Sequence, residues 1–198
     1  MCDIDKEYPS VMDLKDSIRT ALASHKRIPM AAGPVPAAVL LPLFQKNGVY
    51  HILFTKRTEH LNHHRGEISF PGGGCHPEDR DTLQTALRET WEEVGIIPDD
   101  VDTLGVLDDF LSIHNYLVTP YVGVFSADYP FRINRDEIER LIEVPLSYFL
   151  DPDICRVKEW NWRGRAHPVY FYTFMGDEIW GLTAAILKQF LDIISGRG

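Results

Sequence analysis

The stretch from Pro71 to Gly95 constrains this chain more than any other. Three glycines follow a proline, a short polar spacer comes next, and a helix carrying three glutamates then stops at a glycine. In RETWEEVG, Glu89, Glu92 and Glu93 stand at i, i+3 and i+4, and at about 3.6 residues per turn they share one helix face. Leu83, Leu87, Thr90, Trp91 and Val94 fall on the other sides, where they are expected to pack on a sheet. Gly95 is the expected C-terminal cap.

Such a face is unfavourable unless something positive offsets it. Like charges at these spacings destabilise a helix by roughly 0.2–0.5 kcal/mol per pair, and Glu93 also lies near the negative end of the helix dipole. The plain alternative is a solvated acidic face. A cluster of hard oxygen ligands suits Mg²⁺ or Mn²⁺, whereas zinc would want nitrogen or sulfur in the set. Pro71 to Gly74 permit a sharp turn in which backbone approaches a ligand closely, although the Gly-Lys-Ser/Thr ending of a P-loop is missing.

Periodicity organises the rest. VMDLKDSIRTALASH places Val11, Leu14, Ile18 and Leu22 on one stripe, an amphipathic helix within an N-terminal extension over residues 1–30. AAVLLPLF and VYHILFTKR, separated by the polar QKNG, predict an antiparallel hairpin. EHLNHHRGE predicts a loop and ISF a short strand. LGVLDDFLS, YLVTPYVGVFSA, IERLIEVP, CRVKEWNW and PVYFYTF predict strands, LSYFLD a short helix, and IWGLTAAILKQFLDII a closing helix with Ile179, Leu182, Ile186, Phe190 and Ile193 on its apolar stripe. The 198 residues suffice for one α/β domain spanning the chain, with a sizeable core.

Composition narrows the partners. A net charge of -9 argues against a nucleic-acid binder working by broad phosphate neutralisation. Cys2, Cys75 and Cys155 are odd in number and widely spaced, which suggests neither a disulfide framework nor a thiolate zinc site and fits a reducing cytoplasm. The polar N-terminus and the lack of a long apolar run argue against secretion and membrane insertion. His60, His63 and His64 fall in a predicted loop, where their spacing carries little weight as a metal signal. A homodimer is compatible with the sequence.

The segment Gly73 to Ile96 resembles the Nudix box, with its glycine start and the RExxEExG ending at Arg88 to Gly95. The resemblance implies an α/β/α sandwich with a mixed central sheet, whose loop and helix bind a divalent metal, Mg²⁺ or Mn²⁺, beside a pyrophosphate. It implies Glu89 and Glu93 as main metal ligands together with Gly73, through its backbone carbonyl. Glu92 takes the position of an additional ligand or acid–base group, and Arg88 that of the arginine orienting a carboxylate. The general box expects an acidic residue at position 80, where Arg80 stands. The variant of coenzyme A pyrophosphatases, FPGG followed by a spacer one residue longer, fits without a gap and puts Asp79 at the acidic position.

Leu53 to Gly73, LFTKRTEHLNHHRGEISFPGG, resembles the additional signature of that subgroup, with Arg57, Gly66 and Phe70 to Gly73 matching. Thr58 and Asn62 depart from it, and Arg65 is the cation available to stand in for the arginine expected at 62. DEIERLIEVPLSYFLDP and IWGLTAAIL are similar to later pieces of the subgroup. The resemblance implies cleavage of coenzyme A or its derivatives to 3′,5′-ADP and 4′-phosphopantetheine, with Arg57, Arg65 and Phe70 at the substrate. The base is Glu92 or an acid outside the box, such as Asp108 or Asp109. Other Nudix specificities (ADP-ribose, NADH, a nucleoside triphosphate) and a non-catalytic nucleotide sensor are the alternatives. The sensor would predict loss of a box carboxylate, and none is lost. A Ser or Cys hydrolase fails for want of a GxSxG elbow and of an activating pair for Cys75 beyond adjacent His76.

Overall fold

A computed structural model describes residues 11–30, 35–59, 66–162 and 165–197. The hairpin forms as expected: β1 (Val35–Lys46) and β2 (Val49–Arg57) pair antiparallel from Leu43↔Ile52 to Lys46↔Val49. Its two-residue turn puts both Asn47 (φ 51) and Gly48 (φ 79) in the left-handed region, the combination that matches the twist of paired strands.

Beyond Leu43 and Ile52 the strands diverge, and the chain from residue 68 to 74 fills the opening. β3 (Ile68–Ser69) pairs with Lys56 and Thr55 of β2, while β4 (Gly72–Gly74) pairs with Val39 to Ala37 of β1. The Leu40 amide donates to the Pro71 carbonyl at 2.9 Å. The glycine run is therefore a strand, where a sharp turn was expected. Gly72 explains why: its φ is +153, and a Cβ there would meet the Ala38 carbonyl oxygen at 2.3 Å. Backbone packs on backbone at this point.

β7 (Tyr116–Phe125) runs parallel to β1 along its other edge, in register from Val35↔Tyr116 to Phe44↔Phe125. β5 (Asp102–Val106) and β6 (Phe110–Leu111) continue antiparallel on β7, and β8 (Ile138–Pro145) covers the outer edge of β2. LGVLDDFLS, expected as one strand, is thus two, parted at Asp108 and Asp109. The sheet is mixed, with β1 in its interior.

Alternation along β1 sends Ala38, Leu40 and Phe44 to one face and Leu41 and Leu43 to the other, all buried. The first face packs on α2 (Thr82–Val94) through Ala86 and Val94. The second packs on α1 (Val11–Ser24) through Ile18 and Leu22, and on α4 (Gly181–Ile194) through Ile186, Leu187 and Phe190. This is an α/β/α sandwich. The short α3 (Leu146–Phe149) seats Phe149 against Phe54.

A separate antiparallel sheet of β9 (Arg156–Trp162), β10 (Arg165–Phe174) and β11 (Asp177–Trp180) leads into α4. Ile179, expected on the stripe of the closing helix, lies in β11 and is buried from there. Gly181, with φ +63, marks the change from strand to helix.

Gly72→Ala should lower the unfolding free energy by about 2–4 kcal/mol, since its Cβ has no room and its φ is strained. Gly74→Ala, whose Cβ would meet nothing within 4 Å, should change it by less than about 0.5 kcal/mol. Urea unfolding of both variants beside the parent checks the contrast.

Candidate active site

α2 begins and ends on side chains and backbone chosen for the purpose. The Asp81 carboxylate caps its start by accepting from the Gln84 amide at 2.8 Å, and Gly95 closes it with φ 81. Just before the cap, Asp79 turns inward, its side chain only 4% exposed. It accepts from the His76 amide (2.8 Å), the Thr85 hydroxyl (2.8 Å) and twice from Arg88, each at 3.0 Å. These donors, the Arg88 guanidinium foremost, hold the Asp79 carboxyl well below the usual carboxylate range. Arg80 instead turns to Gln84.

Arg88 spends its remaining donors on the site. Nη2 donates to the Gly74 carbonyl at 3.1 Å, and Nη1 to Glu89 at 2.8 Å and Glu92 at 3.1 Å. One guanidinium therefore fixes the glycine strand against the helix and compensates two of its three clustered glutamates.

Glu93 is different: it is buried, 3% exposed. Arg57 of β2 reaches its Oε1 at 3.4 Å, while its Oε2 has no hydrogen-bond partner. Burial pushes this carboxyl up to about 8 against the opposing charge of Arg57, with Glu89 and Glu137 adding to the rise. Burial also raises Glu89, which Arg88 opposes. Gly73 lies directly beneath Glu89; a Cβ there would sit 2.6–2.8 Å from the carboxyl atoms.

Other expected residues are placed elsewhere. Phe70, expected at the substrate, is buried and stacked on Phe54 at 4.9 Å, because the chain must bury an apolar side chain where it enters the opened hairpin. It belongs to the core cluster on the side of the sheet that faces α1 and α4. Arg57 faces Glu93 and, at 3.9 Å, Glu137. Asp108 and Asp109, weighed as bases, are occupied. Asp108 accepts from the Ile28 amide and Gln189 and pairs with His25, and Asp109 accepts from Arg27, Thr119 and the Met30 amide. Both latch the segment after α1 onto the β5–β6 break. Arg65, and with it Asn62 and the three loop histidines, lies outside the described residues.

Sequence reasoning missed the wall opposite the glutamates. An open cleft of about 500 Å³ is lined by Trp91, Glu92, Arg132, Asn134 and Glu137. Trp91, expected on the sheet, is 53% exposed in it. Only the placement of Glu92 beside it hinted at this, since the segment 129–137 carries no periodic signal.

The NUDIX domain family matches residues 34–162 of this sequence. The chain belongs to the Nudix family. Among its relatives, Nudix hydrolase 22, chloroplastic, of Arabidopsis thaliana is 35% identical over 202 residues, covering 96% of this chain and 67% of that protein. The uncharacterized Nudix hydrolase NudL of Photorhabdus laumondii is 41% identical over 153 residues, covering 77% of this chain and 81% of its own. Among solved structures, a binary complex of C. elegans Ap4A hydrolase superposes with a TM-score of 0.48 at 19% identity, covering 59% of this chain and 83% of that one. The protein is a Nudix hydrolase, and the helix just described is its Nudix helix.

The divalent cation that Nudix hydrolases use fits the residues present. Glu93 Oε2 is a buried oxygen without a partner, Gly73 leaves the Glu89 carboxyl in contact with backbone, and the donors are hard oxygens. Among the described residues no three acidic, histidine or cysteine side chains are already gathered as a cation cluster; Glu89 and Glu92 turn to Arg88 instead.

A carboxyl raised to about 8 stays protonated in the folded, cation-free Nudix domain at pH values where the unfolded chain has lost that proton. Its contribution to stability is thus full below the ordinary glutamate range and is lost as pH rises toward about 8. Cation binding through Glu93 would run the other way, since a carboxyl must ionise before it can serve as a ligand. Mn²⁺ affinity should rise about tenfold per pH unit between roughly pH 6 and 7.5, then level off, with nearly one proton released per ion. Titration calorimetry in buffers of different ionisation heat checks both, and a flat profile would contradict a protonated Glu93.

Proposed function

We propose that this Nudix hydrolase cleaves the pyrophosphate of coenzyme A or its derivatives, releasing 3′,5′-ADP and 4′-phosphopantetheine. The observation that carries this reading is the Asp79–Arg88 pair. The acidic position is filled by the residue that the longer-spacer variant of the box requires, and Arg80, at the position of the general box, is turned away. The FPGG strand supports it, with Phe70 buried behind and Gly72 against β1.

Glu89 and Glu93, with the Gly73 carbonyl, would hold the divalent cation, and Glu92 stands by as a further ligand. When bound, the cation neutralises charge at the pyrophosphate and acidifies nearby water. Arg88 keeps Glu89 and Glu92 side by side and the glycine strand in reach of both. Arg57 holds Glu93 in its buried seat. Glu92, 46% exposed, is the carboxylate of the three open to solvent, and it takes the proton of the water that attacks phosphorus as the bridging P–O bond breaks. With Asp108 and Asp109 latched elsewhere, no acid of that pair competes for this role.

Incubation with coenzyme A, ADP-ribose, NADH and nucleoside triphosphates in Mg²⁺ or Mn²⁺, with products identified by mass spectrometry, should show selective release of 3′,5′-ADP. Glu93→Gln should lower kcat by at least about a hundredfold, and Glu92→Gln by about 10²–10⁴-fold. Cleavage of another panel member with coenzyme A untouched would overturn the substrate assignment and leave the Nudix chemistry standing.

A further inference from the structure

Trp91 is out of place for a large aromatic side chain. It sits mid-helix between catalytic carboxylates, yet it is 53% exposed and lines the 500 Å³ cleft that opens beside Glu92. That volume is within the range of small-molecule sites. The opposite wall is set firmly against the Nudix helix. The Arg132 amide donates to the Val94 carbonyl and the Asn134 amide to that of Glu93, both at 2.9 Å. Gly95 makes the approach feasible, since a Cβ there would lie 2.8 Å from the Arg132 backbone nitrogen.

The lining is graded in charge. Glu92 shares Arg88 and Glu137 shares Arg57, so the carboxylate end merges with the catalytic cluster. At the other end Arg132 is exposed, and its guanidinium makes no hydrogen bond or ion pair among the described residues. Asn134 is fixed between them by its bond to Glu137 at 3.3 Å. A flat aromatic face, an unpaired cation and a carboxylate-lined mouth leading to the cutting site suit a planar base carrying a phosphate.

We propose that this cleft is the subsite for the adenine-nucleotide half of the substrate, with Trp91 stacking on the base and Arg132 pairing with a phosphate of that half. This rests on the coenzyme A reading for the identity of the nucleotide, and on the geometry alone for the place. The 3′-phosphate is the group Arg132 would distinguish, because it is absent from 5′-AMP.

The test uses the full chain with Mn²⁺. Trp91→Ala should raise KM for coenzyme A, and the inhibition constant of 3′,5′-ADP, about tenfold while kcat stays within about twofold. Trp91→Phe should restore most of that loss. Arg132→Ala should shrink the preference for 3′,5′-ADP over 5′-AMP, and inhibition by 4′-phosphopantetheine should be the same in every variant. An unchanged 3′,5′-ADP constant in Trp91→Ala, or an equal weakening of phosphopantetheine, would overturn the subsite. If the parent protein does not cleave coenzyme A, the substrate reading fails on its own. The subsite is then decided by tryptophan fluorescence: quenching by 3′,5′-ADP or 5′-AMP that disappears in Trp91→Phe upholds it, and no quenching overturns it.

Discussion

The fold and the site meet in one guanidinium. Arg88 reaches Asp79 in the spacer, the carbonyl of Gly74 on the glycine strand, and Glu89 and Glu92 on its own helix. Three carboxylates and a carbonyl are gathered around one delocalised cation, which can serve them together because its five donors are spread in a plane. A lysine would carry the charge without the geometry. The acidic face that would otherwise disfavour the helix becomes tolerable, and the strand and helix that must act together are tied at the point where they act.

A second constraint comes from the sheet. The divergence of β1 and β2 leaves an opening that residues 68–74 fill, and where Gly72 meets β1 backbone lies against backbone with no room for a Cβ. The third carboxylate gains its character from the same packing. Glu93 lies on the buried side of the helix, where it meets Arg57 from β2 and little water. Two adjacent glutamates on one helix thus differ in burial and in partner, so a single short motif presents one enclosed carboxyl and one open to solvent.

The hairpin, the Nudix helix with its closing glycine and the N-terminal stripe were legible from periodicity and turn chemistry, and Glu89, Glu92 and Glu93 from spacing, while the sandwich and the part played by Arg88 followed from the resemblance to the Nudix box. What sequence could not convey was which side of the helix the sheet takes. Helical spacing puts the glutamates together but does not say that Glu93 points inward and Trp91 outward, because that depends on the register of α2 against β1. Phe70 looked like a site residue through its neighbours and proved to be core, since its position in a motif says nothing of the cavity behind it. Arg132 and Asn134 carried no local pattern, and Glu137 lay in DEIERLIEVP without being singled out there. They become part of the site only because residues 132–134 hydrogen-bond to the last carbonyls of a helix some forty positions earlier. Asp108 and Asp109 misled for the opposite reason: paired acids in a predicted strand resemble chemistry, and their partners lie about eighty residues away.

That last separation has a kinetic meaning. β1 finds its parallel partner β7 across a similar span, from Val35↔Tyr116 to Phe44↔Phe125, and Arg19 and Arg27 on the N-terminal side wait for Asp102 and Asp109. A chain emerging from the ribosome therefore makes its first helix and its hairpin early and cannot seat either until about residue 125 is outside the tunnel. In that interval the long edge of β1, apolar on both faces, is open to any strand that passes. The parallel pairing that gives the finished sheet its centre is thus the contact of β1 that must wait longest for its partner to be made.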